Sequence, residues 1–412
     1  MAPARREIKV LLLIPNLGTG GAQKVFRQQL SFLSEHFAVY GCVFNFDGSF
    51  PEDRNENLHS LGVPGGTNTI LKAWYFLLRI IRLRALKKKL GIDVSVSHLE
   101  GADYVNVLSR RSDKTICWIH GTKKFDENIE GKTGWLRKKI MIPILTSLAD
   151  KIVSVSEGIR QELVHDFDIH PGKVATIYNG FNMRQIIGQK DYPLPQDFLF
   201  ETGFPIVTHC RLSRQKNLYS LLQIYREVRN REDRPLIILG DGELREDLLR
   251  FGKSLNLQTY DVWSGMEFSH GYDVFFLGYQ SNPYRFLSKA SLYLMTSGWE
   301  GFPLALCEAL ACGVTVMSAD CPTGPREILV PGMALDSEPV KTLVKGDFGL
   351  LMPVPKKDEK SLIEYWADHI LQTLKDTQLL KQYSEKGPGR VKELDEERTA
   401  LDVIDTIENL LR

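Results

Sequence analysis

Two acidic residues, Glu300 and Glu308, sit in the stretch Ser297-Gly298-Trp299-Glu300-Gly301-Phe302-Pro303-Leu304-Ala305-Leu306-Cys307-Glu308, and two cations, Arg211 and Lys216, lie well upstream in Arg211-Leu212-Ser213-Arg214-Gln215-Lys216-Asn217. Ionised carboxylates only accept hydrogen bonds, so hydroxyls rather than phosphates are their partners. Arg offers a planar fork and Lys a point charge, and both suit phosphate oxygens. Together these residue types describe a pocket for a sugar diphosphate. Two further features could take part. Gly20-Gly21 follows an apolar run and opens a helix, the form of an anion-binding helix start. His120, in Cys117-Trp118-Ile119-His120-Gly121, falls just past a strand, where chemistry is commonly placed.

The surrounding pattern says which elements carry these groups. Ala290 to Met295 reads as a short buried strand, ended by Thr296, Ser297 and Gly298. Leu304 to Leu310 then keeps a helical rhythm until Cys312-Gly313, with Pro303 suited to the first helical position. Glu300 therefore falls on a strand-to-helix loop and Glu308 on the helix, whose first N–H groups, near Leu304 to Leu306, favour an anion. Taken singly, both acids would read as surface residues. The Glu-Gly-Phe-Pro core and the distant basic pair set them apart. Phe204 to Cys210 reads as another strand, delivering Arg211 and Lys216 at its end before a helix through Val228. Ile8 to Ile14 is a strand covered on both faces, followed by the Gly-rich turn and a helix from Gln23 to about Ser34. Gly18-Thr19-Gly20 also begins a dinucleotide fingerprint, with Asp47 as the ribose acid, but its third glycine would fall on Gln23.

Strand-like runs at Phe37 to Phe46, Val94 to Ser97, Thr115 to Ile119 and Lys151 to Val155 alternate with helical ones, which argues for an α/β parallel sheet. Gly48 to Asn68 reads as loop, and Gln258 to Asp273 as an aromatic insertion, a lid or a contact surface. Pro235 to Leu239, Val274 to Tyr279, Val314 to Ser318 and Gly349 to Pro353 supply strands to a second sheet, and Pro331 to Lys345 is a longer loop. Leu362 to Tyr383 and Asp395 to Leu411 are helical by periodicity. The expected division is an N-terminal domain over 1–187, a linker over 188–204, a C-terminal domain over 205–390 and a final helical segment over 391–412.

At 412 residues the chain exceeds one compact core. Its net charge of +1 hides an asymmetry: 27 basic against 18 acidic residues through Lys190, then 25 against 33. A basic first half implies an anionic partner, a membrane surface or a phosphorylated acceptor, while no motif for nucleic acid is present. Lys72 to Leu90 has seven basic residues and no acid, with apolar residues all round its axis. It reads as a packed helix with snorkelling ends, or as a membrane-surface contact together with Arg137-Lys138-Lys139. Six cysteines without C-x-x-C or zinc spacing suggest structural thiols in a reduced cytosolic protein. Val10 to Ile14 is too short for a signal-peptide core, and no apolar run approaches the ~20 residues of a spanning helix.

Nearly the whole chain resembles the retaining glycosyltransferases of family 4. Glu300 and Glu308 match their E-x7-E signature, Arg211 to Asn217 their R-L-x-x-x-K-N pattern, and Gly240-Asp241-Gly242-Glu243-Leu244 their G-D-G-x-L element. Ser154 to Gly158 and Ile177 to Asn182 resemble further landmarks, the second with Asn182 where the family often has Asp. The resemblance implies a GT-B fold, two Rossmann-like domains facing each other across a cleft, with the last helix crossing back to the first domain. It implies a metal-independent enzyme without a cofactor, moving a hexose or N-acetylhexosamine from a nucleotide-diphospho-sugar, a UDP-sugar, to a glycan or lipid-linked acceptor. Retention would use front-face attack, the departing phosphate taking the acceptor's proton. By the same resemblance Arg211 and Lys216 grip the diphosphate, beside Gly20 and Gly21. Glu300 with Gly301, Phe302, Pro303 and Leu304 holds the donor sugar, Glu308 the ribose, and His120 lies near the reacting sugar. The variant loop Asp320 to Leu329 is similar to enzymes that extend surface polysaccharides or lipid-linked oligosaccharides, which would work in the cytoplasm, peripherally at the membrane. A nucleotide-sugar epimerase of the same fold, an NAD-dependent dehydrogenase and a non-catalytic sugar-nucleotide sensor are the rival readings.

Overall fold

A computed structural model of the chain describes residues 7–46, 56–125, 131–194, 204–335 and 338–412. Strand β1 (Lys9–Ile14) is buried along nearly its whole length, which is why its sequence does not alternate. The chain continues through α1 (Gly21–Leu33), β2 (Ala38–Val43), β3 (Leu58–Ser60), α2 (Thr69–Leu90), β4 (Val94–His98) and α3 (Glu100–Leu108). There follow β5 (Lys114–Ile119), α4 (Gly131–Leu136), α5 (Ile142–Leu148), β6 (Lys151–Ser154), α6 (Glu157–His165) and β7 (Val174–Thr176). The seven strands pair in parallel in the order β3-β2-β1-β4-β5-β6-β7. Order reverses between β1 and β4, and ligands of open parallel sheets bind beyond the carboxyl ends at such a point.

The next elements are α7 (Met183–Lys190), β8 (Ile206–His209), α8 (Leu218–Arg229), β9 (Leu236–Leu239), α9 (Arg245–Ser254), β10 (Thr259–Asp261) and β11 (Val274–Phe276). Then come α10 (Tyr284–Leu287), β12 (Leu292–Met295), α11 (Leu304–Ala311), β13 (Val316–Ala319), α12 (Pro325–Leu329), β14 (Val344–Lys345) and β15 (Leu350–Met352). Helices α13 (Lys360–Lys375), α14 (Thr377–Lys392) and α15 (Glu396–Leu411) end the chain. The second sheet runs β10-β11-β9-β8-β12-β13-β15-β14, with only β14 antiparallel. Its order reverses between β8 and β12, the strands that deliver Arg211, Lys216 and Glu300.

Two compact units result, Met1–Gly180 with Glu396–Arg412 and Phe181–Asp395. The first boundary precedes the expected one because α7 packs on α10 and α11, with Asn282 Nδ2 donating to Gln189 O at 2.9 Å and Ser288 Oγ to Lys190 O at 2.8 Å. Much of the expected linker, residues 195–203, lies outside the described residues. Helix α15 packs on α1, and Thr399 Oγ1 donates to Tyr178 O at 3.2 Å. Gly180 permits this approach, since a Cβ there would come within 2.7 Å of Glu396 Cα.

Five expectations need correction. Val344–Lys345, expected in a loop, is edge strand β14, two residues long and paired antiparallel with β15. Leu58–Ser60, expected in a loop, is edge strand β3, too short for an alternating pattern to reveal it. The aromatic stretch 258–273 begins as edge strand β10, and its rings turn inward: Tyr260 lies 5.4 Å from Phe268 and 5.8 Å from Phe275 between centroids. The helix expected over 362–383 is two helices, because Asp376 accepts a hydrogen bond from Leu379 N at 3.0 Å and so caps α14. Lys87, expected to snorkel, is buried against Asp113 at 2.8 Å.

Candidate active site

In the second unit, three loops at the carboxyl ends of β8, β12 and β13 converge on Glu300. The first makes a single turn at Arg214–Lys216, and Asn217, at φ 53°, tips the chain into α8. Asn217 is held there by its Nδ2, which donates to Pro355 O at 2.7 Å. Main-chain bonding then ties this loop to the second, with Gly298 N donating to Gln215 O at 2.8 Å and Thr296 Oγ1 to Lys216 O at 3.1 Å. The third contributes Pro322 O, which accepts from Glu300 N at 3.1 Å, and Thr323 Oγ1, which donates to Glu300 O at 2.6 Å. Glu300, 5% exposed, thus has its main chain fixed at both ends. Its carboxylate takes Lys216 Nζ at 2.6 Å on Oε1 and Gln215 Nε2 at 3.3 Å on Oε2. Burial works against the charge of Lys216, but Glu300 beside it outweighs burial and raises the ammonium pKa above the usual lysine value. The result is an oriented, nearly dry ion pair.

Glu308, on α11, is also buried, and its Oε2 lies 3.3 Å from His209 Nδ1 at the end of β8. The ring nitrogen makes no hydrogen bond there. Pro303 caps α11 and Leu304 is its first residue, one position later than expected. Gly301, Phe302 and Pro303 lie under Gly324, whose φ of 94° and close approach leave no room for a side chain: a Cβ would meet Pro303 Cδ at 2.5 Å. Arg211 is not brought to Glu300. It is largely exposed, and its Nη2 reaches Glu243 Oε2 at 3.0 Å. That acid belongs to the Gly240–Leu244 turn, and Gly240, at φ 132°, would place a Cβ 1.9 Å from Cys210 O. Only glycine lets the turn lie on the β8 loop. Among the described residues, no three His, Cys, Asp or Glu side chains cluster as metal ligands.

In the first unit, Gly20 caps α1 and Gly21 begins it, with no acid in its first turn to offset the positive end. The turn is pinned by Asn16 Oδ1, which accepts from Gly18 N at 3.2 Å and Gln23 Nε2 at 3.0 Å. Arg27 reaches back from α1 to Leu17 O at 2.5 Å. His120, one residue past β5, pairs through Nε2 with Nδ1 of His98 at 2.9 Å. Burial pushes the His120 pKa down to about 3, helped by nearby Lys123, and burial then His120 push His98 well down too. Both rings are neutral at pH 7. Behind them Glu100 accepts from Lys123 Nζ at 2.9 Å and from Arg137 Nε at 2.7 Å. Burial opposes its charge, yet these two cations bring its pKa down to about 2. Leu99, between His98 and Glu100, has φ 74°, a strained value for leucine of the kind that clusters at functional sites. Asp47, the ribose acid of the dehydrogenase reading, lies outside the described residues.

Gln215, His209, Thr323 and His98 were not singled out from sequence. Gln215 stands at a variable position of its motif, and His98 closes a strand whose residues otherwise face the core, so neither carried a signal.

Two Rossmann-like units, each built on a largely parallel sheet with a reversal of strand order, have the GT-B fold of glycosyltransferases. The same fold is found in a sucrose-phosphate synthase from Thermosynechococcus elongatus (TM-score 0.75, 16% identity, 98% of this chain and 99% of that one) and in Anabaena HepE, solved with UDP and glucose (TM-score 0.71, 15% identity, 98% and 100%). The family model described as Glycosyltransferase Family 4 matches residues 19–185, and that of Glycosyl transferases group 1 matches 203–376. The N-acetylgalactosamine-N,N'-diacetylbacillosaminyl-diphospho-undecaprenol 4-alpha-N-acetylgalactosaminyltransferase of Campylobacter jejuni is 30% identical over 402 residues, covering 96% of this chain and 98% of the relative. The chain belongs to glycosyltransferase family 4, and it is an enzyme of that family.

Proposed function

We propose that the enzyme transfers a hexose or N-acetylhexosamine, with retention and without a metal, from a UDP-sugar to a lipid-linked sugar acceptor. The observation that carries this reading is the Lys216–Glu300 pair, held by three loops at the switch point of the second sheet. Lys216 meets the diphosphate and Glu300, with the main chain at Gly301 and Phe302, meets sugar hydroxyls. Glu308 takes the ribose, while Arg211 leaves Glu243 for the diphosphate. The Gly20-Gly21 helix start adds partial positive charge, and His120 meets the reacting sugar. In the step itself, the bond from the anomeric carbon to the diphosphate breaks and a bond to the acceptor hydroxyl oxygen forms. The acceptor's proton passes to the leaving phosphate, whose growing charge the cations stabilise in place of a metal. The lipid-linked acceptor follows the Campylobacter relative, whose name carries a diphospho-undecaprenol acceptor and an alpha linkage, the retained outcome for an α-linked donor.

The test is UDP release by the full chain with a panel of UDP-hexoses and UDP-N-acetylhexosamines, with and without a polyprenyl-diphosphate saccharide. Release is expected to depend on the acceptor, to survive EDTA and to give an α product by NMR. Acceptor-independent release would favour the epimerase reading. Loss in EDTA restored by Mg²⁺ would overturn metal independence.

A second observation supports work at the inner face of a membrane. Ile70, Trp74, Leu77 and Ile81 form one exposed face of α2, at 82%, 58%, 52% and 62% exposure. Exposed Trp135, Ile140 and Ile144 follow on the α4–α5 segment, and α2 and α5 both pack on α3. The charge contribution is smaller than the composition of α2 suggests. Arg79, Arg82 and Arg84 donate to main-chain oxygens of Pro64, Leu61 and Arg110, and Lys87 is buried. Lys72, Lys88 and Lys89 remain exposed, worth roughly 1 kcal/mol each near an anionic surface. The apolar face must therefore supply the rest. Flotation with anionic liposomes at low salt is expected, and Trp74→Glu with Leu77→Glu should abolish it without lowering Tm, since both side chains are exposed. Wild-type protein that ignores such liposomes would sink this proposal.

A further inference from the structure

The His98–His120 pair has a consequence for how His120 can act. His98 closes β4, fully buried, with its ring stacked 5.8 Å from Trp118 and set edge-on 5.7 Å from Phe26. One proton lies between His98 Nδ1 and His120 Nε2, and two arrangements of it exist. If His120 donated, His98 would carry its other proton on Nε2. That atom is buried and has no hydrogen-bond partner among the described residues. An orphaned buried N–H forfeits about 1–3 kcal/mol, and such donors are rarer in proteins than unsatisfied acceptors. With His98 donating from Nδ1, the unpaired Nε2 carries a lone pair and no proton, the less costly outcome. His120 Nε2 is then the acceptor, and the remaining proton of His120 must sit on Nδ1.

We infer that His98 is a positioning residue that locks His120 as the neutral Nδ1–H tautomer, making it a hydrogen-bond donor to an oxygen of the nucleotide sugar. His120 so held cannot take the acceptor's proton through Nδ1, and its Nε2 lone pair is already used. The lowered pKa values of both rings agree with a neutral pair. The inference rests on the proposed placement of His120 at the reacting sugar. It removes this pair as the base for the acceptor's proton, in keeping with the leaving phosphate proposed above for that role.

Long-range ¹H–¹⁵N spectra of the full chain labelled at histidine, assigned with His98→Asn and His120→Gln, read the tautomer directly at pH 7.5. A protonated Nδ1 and bare Nε2 on His120 are expected. In turnover, His98→Leu removes the donor, freeing His120 to change tautomer, and should lower kcat about tenfold, the effect of one lost hydrogen bond. His98→Asn, whose amide can donate from nearly the same place, should recover most of that loss. Equal losses in both variants would indicate packing alone and overturn the proposal. So would a protonated Nε2 on wild-type His120, a result that does not depend on any variant folding. Full turnover in His120→Ala would instead overturn the placement of His120 at the sugar, so the two failures are told apart.

Discussion

Lys216→Met is expected to lower kcat by about 10²–10³-fold, the usual cost of removing one preorganised group from a developing charge. The same substitution should also destabilise the second unit. It leaves the Glu300 carboxylate, 5% exposed, with Gln215 as its remaining side-chain partner in place of Lys216 at 2.6 Å. Breaking a buried pair from one side costs about 3–5 kcal/mol, whereas removing both charges is often neutral. Lys216→Met with Glu300→Gln should therefore recover thermal stability while kcat stays low. That split separates the two roles of the pair. Turnover of the single variant within twofold of wild type would remove Lys216 from the diphosphate site, and a double variant as unstable as the single would refute the pairing argument. Arg211→Ala should cost less, since Arg211 is largely exposed and must first leave Glu243.

The second large effect is expected at Lys87, far in sequence from the loops just described. Lys87 Nζ lies 2.8 Å from Asp113 Oδ2, with both side chains 1% exposed, and donates to Asn106 Oδ1 at 2.7 Å. Asp113 also accepts from Ser95 Oγ at 2.8 Å and from Arg111 N at 2.9 Å. Burial alone would raise the Asp113 carboxyl pKa, but Lys87 and these donors outweigh it and hold it below the usual range. Lys87→Met strands that carboxylate, at about 3–5 kcal/mol. For a unit of this size that is a fall in Tm of about 10 °C. Pairing it with Asp113→Asn should restore most of the loss. A Lys87→Met protein that melts with wild type would mean that the site relaxes and admits water.

The contrast between Lys87 and its neighbours shows where reading residues in order stops. Seven basic residues in α2 look alike in sequence, and amphipathic side chains there could all reach solvent. Lys87 is buried because Asp113, twenty-six positions on, and Asn106 on α3 meet its ammonium. Arg79, Arg82 and Arg84 are spoken for by carbonyls of loops the helix covers. Only the three-dimensional neighbours distinguish them.

The longer strands of both sheets, the loop carrying Glu300, the helix carrying Glu308 and the turn at Gly20-Gly21 were legible because each depends on local rules. Continuous apolar runs mark covered parallel strands, and glycine, proline and polar residues mark their ends. Three-residue strands such as Leu58–Ser60 and Thr259–Asp261 are shorter than any period and exist only because a neighbouring strand is there to pair with. The acids and cations of the candidate site were likewise named by type and motif, since charge and hydrogen-bonding capacity belong to the residue itself. Tertiary structure decided which of them meet: Lys216 with Glu300, Arg211 with Glu243 instead, His98 with His120. Those pairings depend on which strand ends the sheet order brings side by side, and sheet order arises from packing across the whole unit, not from any stretch of its sequence.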